Sequence, residues 1–196
     1  MIVIGIDPGT ARMGYGVIEV KSKGKKIKLI DGEVIITHPD LEPEKRLKFL
    51  YDTLISVLKE NKPDVMVIEK LFFNTNAKTA IAVGQARGIS MLAAANKKVK
   101  VEEYTALEAK LALTGYGRSD KKTMQEAVQK ILGLNKKVKS DDANDAVAMA
   151  LCYVKKTMLD NITNKDKNGS VKDDWETAFI PKHPAEKVKK KNAKNS

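Results

Sequence analysis

Two short apolar segments of this chain each run directly into an acidic residue, and this pattern constrains the fold more than any other. Residues 1–6 lead into Asp7, and residues 64–68 lead into Glu69. Both segments are short and rich in β-branched residues, which is typical of buried strands. A charge that directly ends a buried strand costs stability unless something pairs with it. We therefore predict an α/β protein whose strands deliver these carboxylates at their C-terminal tips, where open α/β sheets place their chemistry.

A third acidic group lies in residues 141–145, Asp-Asp-Ala-Asn-Asp. The helix predicted to follow it is apolar nearly all round and should be buried, so its first acids should face the sheet edge. Asp142 and Asp145 are three apart and project from neighbouring helical positions, and Asp141 and Asp145, four apart, could also share a face. Taken alone, Asp141 or Asp142 could be a helix cap or a first-turn charge. Asp7 alone could be a turn residue before Pro-Gly.

The combination of these acids favours one divalent-metal site. Mg²⁺ prefers carboxylate oxygens and keeps several waters, so carboxylates from distant segments complete its site together with substrate phosphates. Two ions about 4 Å apart would activate the attacking water and stabilise the leaving oxygen of a phosphodiester. We expect two Mg²⁺ per active site, with Mn²⁺ as a plausible substitute.

The order of the predicted elements favours a mixed five-stranded sheet with helices on both faces. Two further strands follow the first as hairpins, and a fifth covers residues 100–104. Helices are expected at 42–61, 77–96, 105–113, 120–132 and 142–157. We divide the chain into one nuclease domain, residues 1–158, and a lysine-rich tail, residues 159–196, which we expect to be disordered.

Charge and composition indicate the partner and the compartment. The 36 Lys and Arg against 25 Asp and Glu give a net charge of +11, which makes a polyanion the first partner to consider. The single cysteine, Cys152, is expected to be a buried core residue in a reducing cytosol. We find neither a basic leader nor an apolar run of bilayer length, so we expect a cytoplasmic protein with no membrane partner.

Several of these motifs carry a family resemblance. In order and spacing, the chain resembles the RuvC family of Holliday-junction resolvases, which belongs to the ribonuclease H-like superfamily. The resemblance runs from Met1 to about Val154 and is carried by IGIDPGTARMGYGVIE, VIEKLFFNTNAKTAIAVGQARGI, a glycine-flanked basic loop and DDANDAVAMA. It implies a ribonuclease H-like fold and four metal-binding acids, Asp7, Glu69, Asp142 and Asp145, with Asp141 competing for the third place.

The resemblance also implies residues that contact DNA. Phe72 and Phe73 would stack on or wedge between bases at the branch point, although both could instead be core aromatics. Lys110 and Lys121 match lysines that help catalysis or hold phosphate, and Arg118 lies in the basic loop. For Lys121 there is an independent reason, because the first turn of a helix has free backbone N–H groups. Lys110 could also be an ordinary solvated lysine.

The helix at 77–96 repeats Ala80, Gly84 and Gly88 every four residues, which allows another backbone to approach, either within the fold or across a two-fold axis. The resemblance implies the second: a homodimer that nicks two opposed strands of a four-way junction, with a RuvA–RuvB branch-migration complex as its partner. The alternatives are a nuclease that trims precursor ribosomal RNA, an actin-like or sugar-kinase ATPase, and a non-catalytic nucleic-acid binder.

Overall fold

The structure, a computed structural model, describes residues 1–21, 26–70 and 77–166. The strands are β1 (Ile2–Asp7), β2 (Arg12–Lys21), β3 (Lys26–Ile36), β4 (Val65–Glu69) and β5 (Lys100–Tyr104). The helices are α1 (Pro43–Asn61), α2 (Ala77–Asn96), α3 (Ala106–Thr114), α4 (Lys121–Leu132) and α5 (Asp141–Asp166). No helix within these ranges is both long and apolar enough to cross a membrane.

The five strands form one mixed sheet in the order β3-β2-β1-β4-β5. The hairpin strands β1, β2 and β3 pair antiparallel, whereas β4 and β5 extend the sheet in parallel beyond β1. This arrangement confirms the predicted mixed sheet. Because β1 and β4 are parallel neighbours, their C-terminal ends lie at the same edge of the sheet, which is where the two predicted acids stand.

The side chains of the central strands alternate between two apolar cores, one on each face of the sheet. Val3 and Val67 belong to the core that α3, α4 and α5 cover. Ile4 and Ile68 belong to the core that α1 and α2 cover. Cys152 is fully buried in the first of these cores, which confirms the prediction that it is a core residue.

Three glycines let α5 lie directly on the sheet. An added Cβ on Gly5 would overlap the carbonyl oxygen of Ala146, and one on Gly14 would overlap that of Asp142. A Cβ on Gly16 would come within 2.9 Å of the Cα of Val147. Since the obstructing atoms are mostly helix backbone, they cannot swing away as a side-chain end could. We call Gly5, Gly14 and Gly16 the glycine surface.

The last helix is longer than the sequence analysis predicted. We expected it to end near residue 157, but α5 runs to Asp166. The chain contains no glycine or proline between residues 141 and 166, so it carries no residue that would stop the helix. The helix therefore passes the boundary proposed at residue 158. Residues 167–196, and Phe72 and Phe73, lie outside the described residues, so the expectations for the tail and for the two aromatics stay predictions.

The glycine surface generates a stability prediction. Gly5→Ala should lower the free energy of unfolding by about 2 kcal/mol or more, because the new methyl group overlaps α5 backbone that cannot yield. Gly32→Ala is the matched control. Gly32 lies in the same cross-strand row, through Gly16, but its Cβ would meet side-chain atoms at an ordinary 3.7 Å. Urea unfolding of both variants measures the difference, and equal midpoints would contradict the close packing of α5.

Candidate active site

Asp7 and Glu69 stand side by side at one edge of the sheet. The parallel register pairs Ile6 with Ile68, so the next residue of each strand, Asp7 and Glu69, follows in adjacent positions. Alternation along the strands puts both on the face covered by α5, because Gly5 contacts α5 and Val67 belongs to that core. Both acids are partly buried.

The start of α5 lies over these two strand tips. Gly14, the partner of Asp7 in the β1–β2 ladder, lies directly under the backbone of Asp142. The cap of this helix comes from Ser140, whose Oγ accepts a hydrogen bond from the backbone N–H of Ala143 at 3.1 Å. Asp141 and Asp142 are therefore not needed as caps, and Asp145 lies one turn further along the same helix.

Burial and like charge together raise the pKa of Asp7 to about 7. Burial is the largest cause, because it disfavours the ionised form. Repulsion from Glu69, Asp145 and Asp142 adds to the rise, and Lys121 opposes it. The four predicted metal ligands therefore form one electrostatically coupled group around Asp7.

The pKa values of Glu69 and Asp145 are raised for the same reasons. Burial is the main cause for both, and the charge of Asp145 adds to the rise at Glu69. Lys110 and Arg87 oppose the rise in the pKa of Glu69, while Lys121 opposes it at Asp145. Such a cluster of partly buried carboxylates favours either protons or metal cations.

Cations from neighbouring elements meet the acids at the start of α5. Lys121 Nζ lies 3.0 Å from Asp141 Oδ2, and Gln125 Nε2 donates to Asp141 Oδ1 at 2.7 Å. Arg12 Nε donates to Asp142 Oδ2 at 2.7 Å. Both oxygens of Asp141 thus face α4, and it is Asp142, rather than Asp141, that acts on the pKa of Asp7.

Arg87 is a residue at this site that the sequence analysis did not identify. Its Nη1 donates to the backbone oxygen of Glu69 at 2.5 Å, and its Nη2 pairs with the carboxylate of Glu103. The guanidinium therefore links α2 to the C-terminal ends of β4 and β5 and fixes the strand tip that carries Glu69. The signal was the GQARG segment, which the sequence analysis used only as a mark of resemblance.

The other described residues that were predicted to contact DNA lie on α3, on α4 and in the loop between them. Lys110 on α3 interacts electrostatically with Glu69 and with Asp120, the cap of α4. Lys121 is the first residue of α4, as predicted. Arg118 is exposed in the loop between α3 and α4. The acidic group therefore has basic residues on the side of α3 and α4.

The donor set fits a hard divalent cation. The site offers carboxylate oxygens, which Mg²⁺ prefers, and their mutual repulsion would be relieved by a cation. Among the described residues, no group of three or more Asp, Glu, His or Cys side chains is arranged as a preformed metal site.

The sheet order, the helices on both faces and the acids at the strand tips define a ribonuclease H-like α/β fold. The chain is similar to the Thermus thermophilus RuvC structure, with a TM-score of 0.76 and 33% identity over 82% of this chain and 97% of that one. It is equally similar to T. thermophilus RuvC in complex with Holliday junction substrate, with a TM-score of 0.77, 32% identity and coverage of 82% and 96%.

The family follows from the sequence comparisons. Residues 3–153 match the family model described as crossover junction endodeoxyribonuclease RuvC. The proteins of that name from Desulforamulus reducens and Fusobacterium nucleatum are 50% and 45% identical to this chain. The first alignment covers 78% of this chain and 93% of the relative, and the second covers 79% and 80%. The chain belongs to the RuvC family of crossover junction endodeoxyribonucleases.

The raised pKa of Asp7 predicts a pH-dependent stability without metal. Above about pH 4 the unfolded chain loses the Asp7 proton, whereas the folded protein keeps it until about pH 7, so stability falls across this range. The Asp7→Asn substitution removes this fall in stability, because the amide of asparagine does not ionise. In EDTA, the variant should match the wild type near pH 4 and exceed it by about 2–4 kcal/mol above pH 7.

Urea unfolding between pH 4 and 8 measures this difference. Glu126→Gln, which changes an exposed acid on α4, is the control and should track the wild type. A difference between Asp7→Asn and wild type that stays constant over the whole range would contradict the burial of Asp7 among like charges.

Proposed function

We propose that this protein is a structure-selective endodeoxyribonuclease that resolves four-way DNA junctions by metal-dependent nicking of two opposed strands. The observation that carries the proposal is the coupled group of Asp7, Glu69, Asp142 and Asp145 on a protein of net charge +11. The family membership supports the same activity, and a solved relative, T. thermophilus RuvC, is in complex with Holliday junction substrate. The biological setting we infer is DNA recombination and repair.

We propose Mg²⁺ as the metal, two ions per site, with Mn²⁺ as a substitute. Asp7, Glu69, Asp142 and Asp145 would hold the metal. When bound, the metal supplies a more acidic water and stabilises the charge of the leaving oxygen. The four carboxylates would keep the metal at the sheet edge, and their partly buried setting limits the access of other water to the group.

Asp142 is the better candidate than Asp141 for the third ligand. Asp141 has both oxygens engaged by α4, through Lys121 and Gln125, and Asp142 lies over Gly14 next to Asp7. Lys121 is close enough to the acids to lower the pKa values of Asp7 and Asp145. We propose that Lys121 stabilises charge on the phosphate during cutting, and that Lys110, Arg118, Phe72 and Phe73 contact the DNA.

We propose a homodimer joined through α2. On this helix a Cβ added to Gly84 or Gly88 would meet no atom of the described residues within 4 Å beyond the helix's own backbone, so this strip is open with respect to those residues. Exposed apolar side chains flank them, with Ile81 66% and Leu92 54% exposed. A flat strip bounded by apolar side chains suits close contact with a second copy. Because α2 and α5 cover opposite faces of the sheet, this contact would leave the acidic group open to DNA.

Further expectations rest on the family. We propose that the protein acts in the cytoplasm on junctions that a RuvA–RuvB complex presents. We also propose that residues 1–158 form the catalytic domain and that the lysine-rich residues after them add non-specific attraction to phosphate. Of the alternatives, a non-catalytic binder would need no acids at the strand tips, and an RNA-trimming nuclease would prefer RNA over junction DNA.

The decisive experiment compares Asp142→Asn with its matched control Asp141→Asn. With Mg²⁺ and a synthetic four-way junction, Asp142→Asn should cut about 100-fold more slowly or worse, because a metal ligand is lost. Asp141→Asn should stay within about tenfold of the wild type, since it loses only an exposed ion pair. Gel assays measure the cutting rates of both variants, with linear duplex and an RNA junction as competing substrates.

Two outcomes would overturn the proposed function. One is full activity of Asp142→Asn together with full activity of Asp7→Asn. The other is equal cutting of linear duplex, RNA and junction by the wild type. Binding of the junction by Asp142→Asn and Asp7→Asn in EDTA serves as the folding control, because binding depends on the basic surface rather than on the metal.

The dimer is tested by Gly88→Arg, which puts a long charged side chain on the open strip of α2. The variant should sediment as a monomer at concentrations where the wild type is a dimer. Ser56→Arg is the control, because it adds the same side chain to the exposed face of α1. A wild type that sediments as a monomer, or a Gly88→Arg variant that stays dimeric, would contradict this interface.

A further inference from the structure

Arg12 forms the only ion pair that joins the first hairpin to the acidic group within the described residues. Its Nε donates to Asp142 Oδ2 at 2.7 Å, between the start of β2 and the start of α5. The side chains are 50% and 30% exposed, so the contact lies at the surface of the site and not beneath it. Asp142 is also one of the four carboxylates expected to hold the metal.

The turn that carries Arg12 is held firmly against the sheet. Thr37, which is 3% exposed, donates its backbone N–H to Ala11 at 3.1 Å and its hydroxyl to the oxygen of Thr10 at 2.8 Å. Arg46 Nε donates to the same Thr37 hydroxyl at 2.9 Å. The backbone just before Arg12 is therefore fixed, and the half-exposed side chain of Arg12 extends from it to Asp142.

A metal ion on Asp142 would conflict with this ion pair. The guanidinium occupies one carboxylate oxygen, and its positive charge would lie within a few ångströms of a divalent cation on the same group. Like charges at that separation repel each other, most strongly where water is partly excluded. Lys121 is not in the same position, because its hydrogen bond goes to Asp141.

We propose that Arg12 alternates between two anions: it pairs with Asp142 in the free protein and binds a backbone phosphate of the DNA when the metal takes Asp142. This inference rests on the proposed function. An arginine suits the role, because its guanidinium forms charge-assisted hydrogen bonds with a carboxylate and can bind a phosphate in bidentate geometry once that carboxylate is lost. A lysine, as a compact point charge, could not hold the phosphate in the same bidentate geometry.

The exchange makes metal and DNA binding cooperative. A phosphate that attracts Arg12 frees Asp142 for the metal, and a metal on Asp142 releases Arg12 to the phosphate. By linkage the two effects are equal in size. Arg12 is thus a positioning residue that favours metal loading when a DNA strand is in place.

The first test measures Mn²⁺ alone, by electron paramagnetic resonance of the free ion, without DNA. Arg12→Gln should bind Mn²⁺ about threefold more tightly than the wild type, the range expected for losing a half-exposed competing ion pair. Arg12→Lys keeps the charge and should lie close to the wild type. Unchanged or weaker Mn²⁺ binding by Arg12→Gln would overturn the competition.

The second test measures the affinity for junction DNA of proteins that carry Asp142→Asn. In these proteins Arg12 has no carboxylate partner at position 142, and cutting is expected to be lost. Adding Arg12→Gln should weaken junction binding several-fold at low salt and reduce the slope of log affinity against log salt by about one. Lys59→Gln, on the exposed end of α1, is the control for a lost surface charge. A salt slope that does not change with Arg12→Gln would overturn the phosphate contact.

Asp7→Asn separates failure of this inference from failure of the proposed function. If Asp7→Asn abolishes Mn²⁺ binding while Arg12→Gln leaves it unchanged, the metal site stands and the role of Arg12 falls. If Asp7→Asn binds Mn²⁺ like the wild type, the metal site itself is wrong. Equal urea midpoints for wild type, Arg12→Gln and Arg12→Lys exclude misfolding as the cause.

Discussion

The close contact between α5 and the glycine surface is the constraint on which the site depends. Helix backbone lies against Gly5, Gly14 and Gly16, and at Gly16 a methyl group of the Val147 side chain is in contact as well. A single methyl group at any of these positions would push the helix outward. Since Gly14 pairs with Asp7 and lies under Asp142, such a shift would separate two of the four acids. The packing of the core therefore sets the geometry of the charged group.

By itself, the acidic group of Asp7, Glu69, Asp142 and Asp145 is unfavourable for the stability of the folded protein. Burial, and after it the repulsion between the carboxylates, raises the pKa of Asp7 to about 7. Nearby cations offset part of the repulsion, through Lys121, Lys110 and Arg87. Such repulsion is typical of functional sites, where a bound ligand relieves it. A divalent cation would neutralise the acids, and a phosphate would pair with the surrounding basic residues.

Two sides of the sheet have separate roles in this arrangement. The side covered by α3, α4 and α5 carries the acids and the basic residues proposed to contact DNA. The side covered by α1 and α2 carries the open strip around Gly84 and Gly88. A dimer through the strip would therefore present two acidic groups without covering either, which is what two opposed strands of a junction require.

The sequence by itself predicted most of the elements and singled out the acids that the fold brings together. Strand and helix periodicity placed most element ends within two residues, and apolar runs ending in Asp7 and Glu69 indicated the sheet edge, because these signals are local. The choice between Asp141 and Asp142 as the acid nearer Asp7 was decided only by the tertiary structure, since it depends on which side of α5 meets the glycine surface and which meets α4. The contacts of Arg12 and Arg87 likewise join residues far apart in the chain, and no local pattern encodes such pairs.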